Sequence, residues 1–276
     1  MNFNVNKTAG FYLGSIAGFL ILGFCIWGIN FSLGNDDQTL KTMLLIPAFI
    51  FLGIFIVVVL SGLFMGYSMD DNGIQIRWGF RKKYIMWNEI EHIIKVEGRS
   101  NFFSIFGISW PGYVVGLYNI KGLGPVRMYA THPEKGFLYL KTSKGFYGIT
   151  PRNVAETAKF IGEKAAKNIE YFDMNEMPEE VKGKIATEDR SYRLLYTLNI
   201  ILLLTYALYL ALFFPGTGAS KFIILLLVLA IGLFFFNTSN ASRLFQFSPN
   251  GGYTLLILGI IVTGTFFILS LVEITL

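Results

Sequence analysis

The amino-acid sequence predicts an α+β membrane protein, in which five transmembrane helices accompany one strand-rich domain with a C-terminal capping helix. Two observations predict this class. Hydrophobic residues make up 53% of the 276 residues and charged residues only 15%, and the mean hydropathy of +0.53 is high for a soluble domain. The apolar residues are concentrated in five long stretches, whereas residues 67–166 alternate between apolar and polar, as β-strands do.

Each of the five apolar stretches is long enough to cross a membrane. The hydrocarbon core takes about 20 helical residues to cross, and we expect helices near residues 11–33, 43–66, 194–214, 222–239 and 253–273. The run from Leu45 to Val59 has no polar stripe, unlike a helix on the surface of a soluble protein. Glu273, at the last boundary, is the one ionisable residue in these spans, which argues against an ion-coupled transporter.

Lysine and arginine are distributed unevenly around these spans. Of the 23 basic residues, 19 lie between residues 67 and 193, whereas the short loops 34–42 and 215–221 carry one each. Basic residues near membrane helices are retained in the cytoplasm. We therefore expect a multi-pass protein of the cell membrane, with the strand-rich domain in the cytoplasm and the C-terminus outside.

Small residues recur at helical spacing in the first two spans. Gly10, Gly14 and Gly18 follow one another every four residues, and Gly62 and Gly66 repeat this spacing. Such residues let helix backbones approach closely in lipid. Packing within the chain and association with another chain, as a homo-oligomer or with a membrane partner, are both open interpretations.

The region after the second span shows strand and turn signals. The sequence Asp71-Asn72-Gly73 predicts a tight turn between two strands. Further strands are expected at 84–87, 91–97, 113–119, 125–130, 136–142 and 145–149. A closing helix follows, for which Thr150 is the expected N-cap and Pro151 the expected first residue. Its apolar face is expected to consist of Val154, Ala158, Ile161 and Ala165.

Several runs in this region resemble bacterial pleckstrin-homology-like (PH-like) domains. They are residues 111–118 (PGYVVGLY), 122–131 (GLGPVRMYAT), 148–151 (GITP), 71–74 (DNGI) and 85–90 (IMWNEI). The resemblance covers about residues 67–166. It implies seven strands in two nearly orthogonal sheets that form a barrel or sandwich, a C-terminal helix that closes one end, and a tether to membrane helices. It implies neither catalytic residues nor a ligand.

The apolar spans, the resemblance and the charge distribution together divide the chain into four parts. These are a transmembrane hairpin (1–66), the PH-like domain (67–168), an acidic linker (169–193) and three further transmembrane helices (194–276). Residues 169–189 carry a net charge of −5, against +7 for residues 67–168, and we expect the linker to be flexible.

Two groups of residues are candidates for contact with membrane lipid. The basic cluster Arg77, Arg81, Lys82 and Lys83 could bind anionic lipid at about 1 kcal/mol per residue, or could act only as a topology determinant. The first turn, with Asp70 and Asp71, is acidic, unlike the basic hairpin with which eukaryotic relatives bind inositol phosphates. The second group is the aromatic segment 102–110, expected to be a loop.

The aromatic segment has three open interpretations. Its large side chains could pack onto the domain, enter the bilayer interface or form a patch that binds a partner protein. The residues concerned are Phe102, Phe103, Phe106 and Trp110.

No catalytic motif occurs in the sequence. The single cysteine excludes multi-cysteine metal sites, and His92 and His132 stand apart from any motif that binds zinc. We therefore expect no metal, no cofactor, no enzymatic activity and no binding of nucleic acid. The favoured function is a scaffold or regulatory protein, with a role such as envelope stress, whose PH-like domain docks a partner protein or the membrane surface. The alternative is a transport or permeation component that this domain regulates.

Overall fold

The structure, a computed structural model, describes residues 2–3, 5, 7–34, 38–98, 100–131, 136–214 and 220–272. The molecule divides into two compact units, Met1–Ala17 with Phe55–Gly183, and Gly18–Ile54 with Lys184–Leu276. The helices are α1 (Ala9–Ser32), α2 (Gln38–Leu63), α3 (Val154–Ala165), α4 (Glu179–Lys182), α5 (Arg190–Phe213), α6 (Lys221–Phe247) and α7 (Pro249–Val272). The strands are β1 (Asn2–Phe3), β2 (Gly66–Met69), β3 (Gly73–Trp78), β4 (Arg81–Met86), β5 (Ile90–Glu97), β6 (Phe102–Trp110), β7 (Tyr113–Ile120), β8 (Gly124–Ala130), β9 (Phe137–Thr142), β10 (Gly145–Ile149) and β11 (Ile169–Asp173).

The mixed α+β class is confirmed. Within the described residues, α1, α2, α5, α6 and α7 are long and apolar enough to cross a membrane. Several helix ends differ from the prediction by three or more residues, and two of them have a clear structural cause. α2 ends at Leu63, and Gly66 begins β2, because residues 66–69 pair with β3. α6 continues to Phe247, because Ala241 and Phe245 are buried in the core of the second unit.

The first unit is a sandwich of two sheets. The smaller sheet has the order β1-β2-β3-β4, and the larger one β11-β5-β9-β10-β8-β7-β6. Ile74 and Ile85 of the smaller sheet share a core with Ile93 and Leu140 of the larger one. No ladder joins the two sheets in the part of the chain that the structure describes, so of the two expected forms, barrel or sandwich, the domain is an open sandwich and not a closed barrel.

Helix α3 closes one end of the sandwich. Ala158 and Ile161 are buried in the shared core, with Val154 and Ala165 packed against it, as the apolar periodicity predicted. The N-cap differs from the prediction. The Asn153 side chain accepts a hydrogen bond from the backbone N–H of Glu156, whereas the Thr150 hydroxyl accepts one from the N–H of Thr131, 2.8 Å away. Thr150 is therefore engaged in a link between strands, and the helix begins three residues after Pro151.

The aromatic segment 102–110 is a strand and not a loop. It forms β6, which pairs antiparallel with β7 from Phe102 opposite Ile120 to Trp110 opposite Tyr113. Gly107 lies opposite Gly116, whose φ of +132° and close contact with the Gly107 backbone exclude a side chain. The pairing with β7 stabilises an extended conformation that the local composition did not reveal.

The start of the expected flexible linker is structured. β11 pairs in parallel with β5, and Glu170 of β11 lies 2.7 Å from His92 of β5. Beyond β11, Met174, Met177 and Val181 pack on the second face of the larger sheet. Both faces of that sheet are therefore covered. The acidic composition of residues 169–189 gave no indication of this packing.

In the second unit, α6 and α5 pack against α7. The buried Asn199 of α5 donates hydrogen bonds to the carbonyls of Leu195 and of Leu256 in α7. The hydroxyls of Tyr206 and Ser270 lie 2.6 Å apart. These polar groups bond to one another and to backbone carbonyls, which satisfies them inside an apolar bundle.

Candidate membrane-contact surface

An aromatic cluster joins the sandwich to the ends of α1 and α2 in the first unit. The Trp110 ring stacks on Tyr113 with ring centroids 4.5 Å apart, and it lies 5.7 Å from the ring of Phe55 and 6.0 Å from that of Phe11. The Trp110 indole N–H donates to the backbone carbonyl of Phe11. Because Phe55 lies eight residues before the end of α2, this contact reaches about 12 Å along that helix.

The Tyr113 hydroxyl connects three elements. It accepts a hydrogen bond from the Trp78 indole N–H, at 2.6 Å, and donates one to the Val58 carbonyl of α2, at 3.2 Å. Burial raises the pKa of Tyr113 well above its ordinary value, so its hydroxyl stays protonated. The end of β3, the start of β7 and the last turns of α2 are thereby held together.

Three of the five predicted glycines lie at this junction. A Cβ on Gly14 would overlap the Trp110 indole, and one on Gly10 would lie 3.0 Å from the Pro111 carbonyl carbon. A Cβ on Gly62 would lie 2.7 Å from the Phe11 ring and 2.8 Å from that of Tyr113. Gly10 and Gly14 thus make room for the turn between β6 and β7. Gly66 has open space around it and Gly18 is half-buried in α1.

The hairpin between β3 and β4 places Phe80 beside the end of α2. Gly79, with φ +55°, donates its N–H to the carbonyl of Ser61. A side chain at Gly79 would collide with Ser61, so the hairpin tip lies directly against the helix. Phe80 at the tip is fully exposed. Apolar rings such as that of phenylalanine can enter the interfacial region of a bilayer, so Phe80 is a candidate for membrane contact.

The four basic residues of the cluster do not share one face of the hairpin. Arg77 lies opposite Lys82 and therefore on the same face, whereas Arg81 and Lys83 lie opposite Trp78 and Ile76, on the other face. The Arg77 side chain donates to the Phe64 carbonyl, just beyond the end of α2.

The charges of Arg77 and Lys7 also complement the end of α2. The Lys7 ammonium donates to the carbonyl of Leu63, the last residue of that helix. Cations near unpaired carbonyls at a helix C-terminus are stabilising. Lys7 and Arg77 therefore stabilise the C-terminal end of α2.

The aromatic residues of β6 occupy different environments. Phe102 packs edge-on against Tyr118 and Phe137, and Phe103 is half-buried. Phe106 is 83% exposed and the neighbouring Ile105 is 55% exposed. Because β6 is the last strand of the larger sheet, its outer backbone edge carries no partner strand in the described structure.

Sequence reasoning did not single out Phe80 or Tyr113. The signal for Phe80 was present, since an aromatic residue in a two-residue turn directly precedes the basic run 81–83. The role of Tyr113 depends on a hydrogen bond to a helix 55 residues earlier in the chain, which no local pattern indicates.

The second face of the larger sheet carries a small apolar pocket. Its volume is about 150 Å³, and Met174, Met177, Leu123 and Tyr139 lie in its wall. Sites for small molecules are typically about 300–1,000 Å³, so we assign no ligand to it. Among the described residues, no group of three or more His, Cys, Asp or Glu side chains could hold a metal ion; His132 lies outside the described residues.

Comparison with known proteins identifies the domain. Residues 65–165 match the family model of the bacterial PH domain, which confirms the resemblance stated from the sequence. The chain therefore combines a bacterial PH-like domain with five helices able to cross a membrane, as expected of a membrane-associated protein.

A curated relative is known. Over 169 residues, the chain is 24% identical to an uncharacterized protein of Clostridium acetobutylicum, an alignment that covers 59% of this chain and 54% of the relative. The chain thus spans about half the length of that relative. No solved structure matches the chain.

Proposed function

We propose that this protein is a non-enzymatic membrane platform, whose PH-like domain lies at the bilayer surface and docks a partner protein along β6. The observation that carries the proposal is the exposed outer edge of β6, a nine-residue strand without a charged side chain. Because most lysine and arginine residues lie between the second and third spans, we expect the domain to face the cytoplasm.

Contacts with the helix ends support the position at the membrane. The domain is packed onto the first turns of α1 and the last turns of α2 through Trp110 and Tyr113. Phe80 projects freely beside the end of α2, and Arg81 follows it directly. An aromatic ring at the interface, with a basic residue among the lipid headgroups, suits a surface of anionic lipid.

The chemistry of β6 favours a partner protein over insertion into the bilayer. An edge strand exposes unpaired N–H and C=O groups, and each costs several kcal/mol in hydrocarbon. A second strand would satisfy those groups, while Phe106 and Ile105 would supply apolar contact area. Natural proteins usually protect such an edge with charges or proline, and residues 102–110 have neither.

Site-specific photocrosslinking in intact membranes tests this proposal. A photoreactive amino acid in place of Phe106 should yield one discrete protein adduct. The same residue in place of the exposed Lys159 on α3 should not. The variant F106K loses little packing, because the Phe106 side chain is largely exposed, and it should prevent recovery of the partner without lowering the amount of protein in the membrane.

The mass of the adduct identifies the occupant. An adduct with a different protein supports the platform function, and one at twice the mass of the chain identifies a second copy as the partner. Adducts with lipid alone would show that β6 contacts the bilayer and would contradict partner docking.

Transport is the second candidate function, and the polar residues within the helices are its motivation. Asn199 and Tyr206 are buried, and each is hydrogen-bonded to a neighbouring helix or side chain. Such bonds explain these residues as packing contacts, so we favour the platform. Flux of small solutes through liposomes that contain the purified protein would reverse this preference.

A further inference from the structure

A groove of about 440 Å³ opens between α5 and α6 in the second unit. Its walls come from the first two turns of α5, from the last turns of α6 and from Thr187, which precedes α5. The volume lies within the range of sites that bind small molecules, about 300–1,000 Å³. None of the PH-like domain contributes to it, so the groove is separate from the surface described above.

The chemistry of the groove favours an anion. Six of its eight lining residues carry hydroxyl groups, Arg193 carries the charge, and no lining residue is acidic. Within the described residues, the Arg193 guanidinium makes no hydrogen bond and no ion pair. A guanidinium matches the geometry of phosphate through paired N–H donors.

The nearest acidic residue along the helix does not neutralise Arg193. Asp189 lies four residues earlier, a spacing at which ion pairs form on helices. Its carboxylate instead accepts the N–H of Tyr192, at 2.7 Å, and the hydroxyl of Tyr253, at 2.9 Å. These bonds lower the pKa of Asp189, chiefly through the backbone N–H of Tyr192. Asp189 therefore acts as the N-cap of α5, and Arg193 remains available.

The groove is polar near the helix ends and aromatic further in. Arg193 is the fourth residue of α5, about 5 Å from its start. Ser242 lies five residues before the end of α6, whereas Phe235 lies twelve residues before it. A bilayer headgroup region is about 5–7 Å thick on each side. In a membrane, the guanidinium would thus lie at headgroup depth and the rings of Tyr196 and Phe235 beside acyl chains.

We propose that this groove binds an anionic phospholipid. Arg193 binds the phosphate, Ser239 and Thr187 donate hydrogen bonds to the headgroup, and Tyr196 and Phe235 contact the upper part of an acyl chain. Basic pockets between membrane helices bind anionic headgroups in this way. The proposal requires α5 and α6 to lie in a bilayer, and it does not depend on partner docking by β6.

Native mass spectrometry of the full-length protein in detergent tests the site. The protein is titrated with limiting phosphatidylglycerol or phosphatidylcholine, and retained lipid is counted. R193Q should lower retention of phosphatidylglycerol about tenfold, since a hydrogen bond to a charged group contributes roughly that factor. R190Q is the matched control, because Arg190 carries the same charge one turn earlier and does not line the groove. It should retain the lipid as the native protein does.

A second variant guards against loss of folding. Ser239 is exposed, so S239A removes one donor without loss of packing and should lower retention by a smaller factor than R193Q. Equal losses for R193Q and R190Q, or equal retention of phosphatidylcholine, would overturn the proposal. Displacement of the lipid by millimolar inorganic phosphate would also overturn it, because the site would then recognise free phosphate and not a phospholipid.

Discussion

The contact between Gly14 and Trp110 predicts that a larger residue at position 14 of α1 destabilises the packing of this helix against the PH-like domain. A Cβ at Gly14 would lie 2.9 Å from Cγ and 3.1 Å from Nε1 of the Trp110 indole. Carbon atoms in favourable contact are about 3.5–4.0 Å apart, and Cδ1 of the indole would lie closer still to the new Cβ, so the indole would have to move by more than about 1 Å. Its stacking on Tyr113 and its hydrogen bond to the Phe11 carbonyl oppose that movement.

The expected cost of G14A follows from overpacking. Forcing extra carbon into a packed core costs about 1–3 kcal/mol. Alanine also gains about 1 kcal/mol over glycine in a helix interior, and G23A provides the control for that gain. Gly23 lies in the same helix, where a Cβ would meet nothing within 4 Å. The difference between the two variants should therefore isolate the clash, with G14A less stable by about 1–3 kcal/mol.

Thermal unfolding of the full-length protein in detergent measures this difference. A loss of that size should lower Tm by several degrees for G14A relative to G23A. W110F provides a smaller ring, so the double variant G14A/W110F should show a favourable coupling energy in a double-mutant cycle. Equal stability of G14A and G23A, or strictly additive effects of the pair, would refute the inferred contact with the PH-like domain.

Two further predictions concern hydrogen bonds of the first unit. Y113F leaves the Trp78 indole N–H without its acceptor and removes the tertiary hydrogen bond to the Val58 carbonyl, so we expect a loss of about 1–3 kcal/mol and faster hydrogen exchange in the last turns of α2. In the second, the Tyr84 hydroxyl lowers the pKa of Asp70 below its ordinary 3.8, with backbone N–H groups adding to the effect. A carboxylate with a lowered pKa stabilises the fold above pH 3.8, and this contribution is lost as the pH falls through its folded value. D70N should therefore be less stable than the native protein at neutral pH, with a gap that narrows on acidification below 3.8 in thermal unfolding; a gap independent of pH would contradict the assignment.

The helices and most of the strands were accessible from the sequence because their signals are local. A helix that crosses a bilayer bonds its backbone groups within its own segment, so a long apolar run such as 43–66 is by itself a signal for such a helix. Turn residues such as Asn72 and Gly73 likewise predict a hairpin, because their own conformational preferences favour a tight turn. The apolar face of α3 followed from helical periodicity alone.

Long-range partners account for what the sequence did not reveal. Residues 102–110 are rich in aromatic side chains in any conformation, and only pairing with β7 makes them a strand. Two of the five residues 169–173 are acidic, and only pairing with the edge of β5 makes this segment a strand. The groove beside Arg193 is lined by two groups of residues that lie 39 to 55 positions apart in the chain, and helical periodicity does not relate residues at such a distance.

By itself, the sequence determined that this protein has five membrane-compatible helices and one strand-rich domain, since apolar length and turn chemistry are properties of contiguous residues, and short runs that resemble bacterial PH-like domains identified the family of that domain. Only the tertiary structure decided that Gly14 contacts Trp110, that the turn at Gly79 lies against α2 with Phe80 exposed beside it, and that β6 is an exposed edge. The physical reason is that these features arise from close packing between segments distant in the chain, where contact depends on three-dimensional shape and not on composition.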